Sequence, residues 1–225
     1  MEFVGWGYLK ELVEKAEATF GFREAALLAC LFTGGFRVSE AVQSDHGGLK
    51  PENVIAVEGK KMLRFKSVYV MKRYKKVQGS GYACHETGPH KGHAVWDADH
   101  KHFETVRKVG KEIIRDAPVP FYEPFVPMIR KLHSEAPEGS YLFPFDRFKA
   151  YRIVEKLDPA IWPHWFRSQR ASQLGADFEK GGYEWDNPKI TTWFNWSSDE
   201  TAKVYAHRNE TERLESDFPD RLIGA

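Results

Sequence analysis

The chain has 225 residues, enough for one large domain or two small ones with a core that needs no disulfide or metal staple. Hydrophobic residues make up 42% and aromatics 14%, which excludes a disordered tail or a coiled rod. The formal net charge of +1 singles out no partner, and two cysteines, Cys30 in an apolar run and Cys84 in a polar one, exclude a disulfide framework and favour a reducing, intracellular setting.

The N-terminal stretch has no basic region followed by an uninterrupted apolar one, and no segment approaches about 18 apolar residues, so a cytoplasmic protein without membrane contact is expected. Residues 8–20 place Tyr8, Leu12, Val13, Ala16 and Phe20 on one helical face, and residues 23–33 form a second, almost wholly apolar helix that Gly34 and Gly35 stop. A third helix is expected from Arg37–Ser39 through Val42. The β-branched and aromatic runs at 53–57 and 62–74, with Glu58 and Gly59 as the turn, predict a hairpin. From Lys60 to Lys76 there are eight cations (Lys60, Lys61, Arg64, Lys66, Lys72, Arg73, Lys75 and Lys76) and no acidic residue, whereas the charged residues of Glu210–Asp220 are mostly acidic. Such a stripe suits phosphate binding. A solvated hairpin whose charges protect an exposed edge explains it equally well.

Residues 77–102 are rich in Gly and His and lack periodicity, which predicts a long loop or insertion. Cys84, His85, His90, His93, His100 and His102 are spaced poorly for zinc, which normally takes ligands in CxxC or HxxxH pairs, so no metal site is expected. Helical patterning returns at Phe103–Ile114, residues 113–120 suit a short strand, and IRKLHSEA suits a helix ended by Pro137 and Gly139. Asp146 can cap a helix over Arg147–Leu157. Pro163 suits the first turn of a helix ending at Gly181 and Gly182. A short helix to Trp196 follows Asn187 and Pro188, and Ser197 with Glu200 forms a capping box that opens a last helix. The fold class is mainly α with a small antiparallel β-sheet, in a single domain over 1–225.

Three separated segments carry groups that phosphoryl transfer needs. In TGGFRVSE (33–40) a helix break places Arg37 at the start of the next helix, where its planar fork can face a phosphate. An ordinary surface pair with Glu40 is the plain alternative. In PHWFRSQRASQL (163–174) His164 and Arg167 share a helical face that Ala171, Leu174 and Phe178 continue into the core; a capping histidine and a solvent arginine read equally well. In WFNWSSDETAKVYAH (193–207) Thr201, Val204 and Tyr205 lie within about one turn of the last helix. Tyr205 alone would be unremarkable as a core-edge residue.

In this order the three segments resemble the signature boxes of the tyrosine recombinases, or phage integrases: the first-arginine box, the HxxR box, and a last box with a His or Trp nine residues before the nucleophilic tyrosine, the spacing of Trp196 and Tyr205. The resemblance spans residues 23–208, and PHWFR is similar to archaeal members. It implies the family's catalytic-domain fold and DNA cleavage and rejoining through a 3′-phosphotyrosine, with no cofactor. It implies Arg37, His164, Arg167, Trp196 and Tyr205 as catalytic residues, Glu40 as their support, and Lys60, Lys61, Arg64, Lys66, Arg73, Lys75 and Lys76 against double-stranded DNA. A monomer alone, a tetramer on DNA and a nucleoid-associated location are implied as well. The family's catalytic lysine lies in the turn of a small sheet, before a segment of the form R, any residue, VP. Lys72 is the first choice, with Lys75 and Lys76 as alternatives, and RDAPVP (115–120) is the following strand, separated from the hairpin by the His-rich insertion. The family usually carries an N-terminal DNA-clamping domain as well; because the chain begins almost at the catalytic domain, either a truncated form or a minimal enzyme is expected. A type IB topoisomerase, a non-catalytic DNA-binding relative and an unrelated helical scaffold are the competing readings.

Overall fold

A computed structural model describes the backbone of residues 2–44, 47–74, 96–97, 102–103 and 108–196, and side chains over 2–44, 47–66 and 116–196. The helices are α1 (Trp6–Phe20), α2 (Phe22–Thr33), α3 (Val38–Ala41), α4 (Val126–Glu135), α5 (Arg147–Leu157), α6 (Pro163–Gly175) and α7 (Asn187–Phe194). The strands are β1 (Val54–Val57), β2 (Met62–Tyr74), β3 (Trp96–Asp97), β4 (His102–Phe103) and β5 (Lys108–Pro120). The expected class, mostly helical with a small antiparallel sheet, is the one observed.

The chain divides into two compact units, residues 1–68 with 114–225, and residues 69–113. In the smaller, β3 pairs antiparallel with β4, Trp96 opposite Phe103 and Asp97 opposite His102.

The larger unit is built around α2. Every residue from Ala25 to Thr33 is buried, because α1, α4 and α6 all pack on this helix. A helix apolar all round belongs inside. The predicted face of α1 is correct in Leu12, Val13 and Ala16, which are buried together with Leu9, while Tyr8 and Phe20 sit at its margin. Partial burial first, and then the hydrogen bond that the Tyr8 hydroxyl donates to the Asp158 carboxylate, push the phenol up to about 12.

The hairpin forms with Val54 opposite Phe65 and Val57 opposite Met62. Its turn is a single 3-10 turn over Glu58–Lys60 followed by Lys61 in the left-handed region (φ 50°). Side chains alternate across a strand, so Leu63 and Phe65 enter the core while Arg64 and Lys66 take the opposite face. In the three-stranded sheet the order is β1-β2-β5, so RDAPVP lies beside the basic hairpin although the insertion separates them in sequence.

Two expectations fail. Of the helix predicted over Phe103–Ile114, the described residues are strand: Phe103 belongs to β4 and Lys108–Ile114 to the long strand β5. Val109, Ile113 and Ile114 favour extended backbone, and β2 supplies the pairing partner that a periodicity reading cannot see. Secondly, α6 ends at Gly175 rather than at Gly181 and Gly182. The chain doubles back there: Glu184 N donates to Ala176 O and Trp185 N to Leu174 O, both at 2.9 Å. A Cβ on Gly182 would lie 1.9 Å from the Ala176 oxygen, so the glycines permit this return rather than cap the helix. Phe178, expected on the core face of α6, falls beyond the helix end and is 65% exposed. Two boundaries also shift: α4 starts earlier, with Pro127 in its first turn, and α7 ends one residue after Trp193, before Trp196.

Candidate active site

The break after α2 is a tight one. Gly34 closes the helix through its N–H to Cys30 O (2.9 Å), and a Cβ there would sit 2.0 Å from the Phe36 ring. Gly35 has φ +56°, and a Cβ on it would lie 2.5 Å from Phe194 Cε1. Phe36 turns into the core against Phe65, with ring centroids 5.2 Å apart and edge to face. The glycine pair therefore brings Arg37 to the first residue before α3.

Glu40 ties this turn to α6. Its Oε2 accepts from Arg37 N at 3.0 Å and its Oε1 from Arg37 Nη1 at 2.8 Å. The plain pairing of Arg37 with Glu40 thus exists, but it is no ordinary surface bridge, because the Glu40 side chain is only 3% exposed and its Oε2 also lies 3.8 Å from Arg167 Nη1. One buried carboxylate is shared between the guanidinium groups of the first and second boxes. A carboxylate can be buried at bearable cost when paired and hydrogen-bonded on both oxygens.

Arg167 is itself buried, which excludes the solvent-arginine reading. Its Nη1 donates to the Gly35 carbonyl, and its Cζ lies over the Phe194 ring at 4.5 Å and over the Trp196 ring at 5.6 Å. Trp196 stacks on Phe194, with centroids 4.4 Å apart and planes 7° from parallel. Asn195 makes this possible by taking the left-handed conformation (φ 52°) that ends α7 and reverses the chain.

His164 sits in the first turn of α6, half-buried. Desolvation first, then repulsion from Arg167 and Arg37, lowers its pKa below the ordinary value of 6.5, with Glu40 opposing. The imidazole is therefore neutral at pH 7 and able to accept a proton. Because the folded chain holds this proton less tightly than the unfolded one, stability contributed by His164 is present above 6.5 and is lost as pH falls below it toward the depressed folded value, not as pH rises. The same sign governs chemistry: any rate that needs neutral His164 should stay flat from pH 8 down to about 6.5 and fall below it. A single-turnover rate profile whose acid limb begins above pH 7 would contradict this environment.

The structure brings together Arg37, Glu40, His164, Arg167 and Trp196. Lys60 and Lys61 are exposed in the turn before β2, and Lys66 is exposed on the solvent face. Arg64 is engaged within the protein: its Nε donates to Asp116 Oδ1 at 3.0 Å and its Nη2 to Asp116 Oδ2, a fork across to β5. Lys72 and Arg73 belong to β2, but their side chains lie outside the described residues, as do Lys75, Lys76 and Tyr205 altogether. Cys84, His85, His90, His93 and His100 lie outside them too, and His102 is a residue of β4. No described helix is long and apolar enough to cross a membrane.

Sequence reasoning missed a second buried cation. Arg170, one turn beyond Arg167, forks onto Glu123 with both N–O distances 2.9 Å, and its Nη1 also donates to Gln173 Oε1 at 2.9 Å. The Tyr183 hydroxyl donates to Glu123 Oε1 at 2.8 Å, and burial with the adjacent carboxylate holds that phenol well above its usual range, hence neutral. Trp193 packs against the Arg170 guanidinium at 5.0 Å and donates its indole N–H to Pro118 O at 3.0 Å. The spacing gave a partial signal: Arg170, three residues from Arg167, shares its helical face, but spacing does not say whether that face is buried or which carboxylate meets it.

No family model and no curated protein sequence matches the chain. Solved structures do. The Tn1549 transposon integrase in complex with circular intermediate DNA superposes with a TM-score of 0.51 at 11% identity, over 95% of this chain and 64% of that one. The XerA recombinase superposes with a TM-score of 0.50 at 16% identity, over 97% of this chain and 64% of that one. A second complex of the Tn1549 integrase with circular intermediate DNA gives 0.51 at 10% identity, over 92% and 62%. The chain thus spans less than two thirds of the length of these recombinases, and at such identities the likeness is one of fold. Its helices and three-stranded sheet have the architecture of the tyrosine-recombinase catalytic domain.

Proposed function

We propose that the protein cleaves and rejoins double-stranded DNA at specific sites by transesterification through Tyr205. The observation that carries this reading is the Glu40 carboxylate, buried between Arg37 and Arg167 with neutral His164 beside both cations. Two arginines held by one carboxylate from below, at a recombinase fold, suit the two non-bridging oxygens of a phosphodiester.

In this reading the Tyr205 phenol attacks phosphorus in line, and a P–O bond forms to the tyrosine as the bond to the 5′ oxygen breaks. His164 accepts or holds the phenolic proton. Lys72 gives a proton to the departing 5′ oxygen, and the Trp196 indole N–H adds a donor to the phosphate. Glu40 orients Arg37. The phosphodiester energy is kept in the 3′-phosphotyrosine, so a 5′-hydroxyl reverses the step without a nucleotide cofactor. Assembly into a tetramer on DNA would bring two duplexes together for exchange.

Incubation with nicked suicide duplexes tests the reading. A covalent protein–DNA adduct should form in EDTA, because the arginines take the charge-stabilising role that metal ions take in nucleases. Peptide mapping should find the adduct on Tyr205. DNA that binds without forming an adduct would favour a non-catalytic relative, and relaxation of supercoils without strand exchange a topoisomerase. The stripe from Lys60 to Lys76 supplies the duplex contact. Charge reversal at Lys75 and Lys76 should weaken binding and lower the slope of log K against log salt by about 0.9 per lost phosphate contact. An unchanged slope would return the stripe to a solvated hairpin.

A further inference from the structure

Phe194 has no part in the chemistry above, yet all three segments of the site meet on its ring. It is the last residue of α7 and is 2% exposed. The Arg167 guanidinium lies over it at 4.5 Å, Trp196 stacks on it at 4.4 Å, and it packs so closely on Gly35 that a Cβ there would be 2.5 Å from Cε1. Gly35 in turn accepts the hydrogen bond from Arg167 Nη1. A guanidinium donates only in its own plane, and its faces need an apolar or π surface. The Gly35 carbonyl and Glu40 both lie against Arg167 Nη1, while the Cζ at the centre of the guanidinium lies over the Phe194 ring.

We propose that Phe194 is a positioning residue for Arg167. Its ring fixes the plane of the guanidinium and keys that plane to the Gly35 turn and to Trp196, so the fork is aimed before DNA arrives. The inference rests on the cleavage reading for its kinetic consequence, and on geometry alone for its spectroscopic one. Leucine at this position fills similar volume but offers neither a flat face nor a quadrupole. A guanidinium freed to rotate loses alignment with the phosphate, and misplacement by about 1 Å can cost on the order of 100-fold in rate.

Phe194→Leu in the full chain should therefore lower the rate of adduct formation at saturating DNA by about 10- to 100-fold, with DNA affinity unchanged within about twofold. In an Arg167→Ala background the same change should cost far less than in the wild-type chain, because the residue through which Phe194 chiefly acts is gone. NMR supplies a readout independent of cleavage: the Arg167 Nε–H and δ-methylene protons should be shifted upfield by the ring in the wild-type chain and move toward free-arginine values in Phe194→Leu. A wild-type rate in Phe194→Leu, an additive loss in the Arg167→Ala background, or Arg167 resonances at free-arginine values in the wild-type chain would each overturn the proposal. If the wild-type chain forms no adduct, the cleavage reading fails while the Arg167 shifts still decide this inference, and they do so even if the leucine variant does not fold.

Discussion

Tyr205→Phe should abolish the covalent protein–DNA adduct while leaving folding and DNA affinity nearly intact. The substitution removes one hydroxyl, and with it the only atom that attacks phosphorus in the proposed step, so no residual adduct is expected from the same active site. Arg167→Ala should suppress the adduct on different grounds. Removing a preorganised donor from a forming phosphorane costs on the order of 10²- to 10³-fold in rate. Arg167 is also buried beside Glu40, so its alanine variant should lose stability as well as rate. Arg167→Lys separates the two effects: it keeps the charge near Glu40 but lacks the fork, and should recover stability more than cleavage. Gel analysis of suicide-substrate reactions with thermal melts on the same preparations reads both quantities. An adduct that persists in Tyr205→Phe would assign the nucleophile elsewhere, and full cleavage by Arg167→Lys would reduce Arg167 to a point charge.

Glu123→Ala should be among the most destabilising single changes in the larger unit, although Glu123 carries no chemistry. Glu123 and Arg170 are each 1% exposed and joined by two hydrogen bonds of 2.9 Å. Deleting one partner leaves the other ion buried and uncompensated, at a cost of about 3–5 kcal/mol. Tyr183 loses its acceptor at the same time. For a chain of this size each kcal/mol moves Tm by roughly 2–4 °C, so a fall of about 6–20 °C is expected. Replacing both partners with apolar residues, Glu123→Leu with Arg170→Met, should recover most of that loss, since an ion pair of this kind offsets its own desolvation only in part. Urea or thermal unfolding of the wild-type chain and these two variants checks the sequence of effects. A loss below about 1 kcal/mol for Glu123→Ala would mean that water reaches Arg170 in solution.

Local chemistry makes much of the protein legible from its residues. An uninterrupted apolar run can only be an inner helix, hence α2. Two adjacent glycines before Arg37 mark a sharp turn, and the alternation of apolar Leu63 and Phe65 with basic Arg64 and Lys66 marks a strand beside 54–57. Asp146 capping α5 through Lys149 N and Pro163 opening α6 follow from the same short-range rules. The pairing of Arg37 with Glu40 is also local, being one helical turn in extent. What only the tertiary structure decided involves partners distant in sequence. Lys108–Ile114 became strand because β2 was there to pair with it, and α6 stopped at Gly175 because the chain returned across Ala176. The helix reading of PHWFRSQRASQL left open whether its arginines face water. Glu40, from the distant first box, holds Arg167 inside, and Glu123, from the turn after β5, holds Arg170. A buried charge is stable only beside its countercharge, and no pattern within one segment reveals where that countercharge will come from.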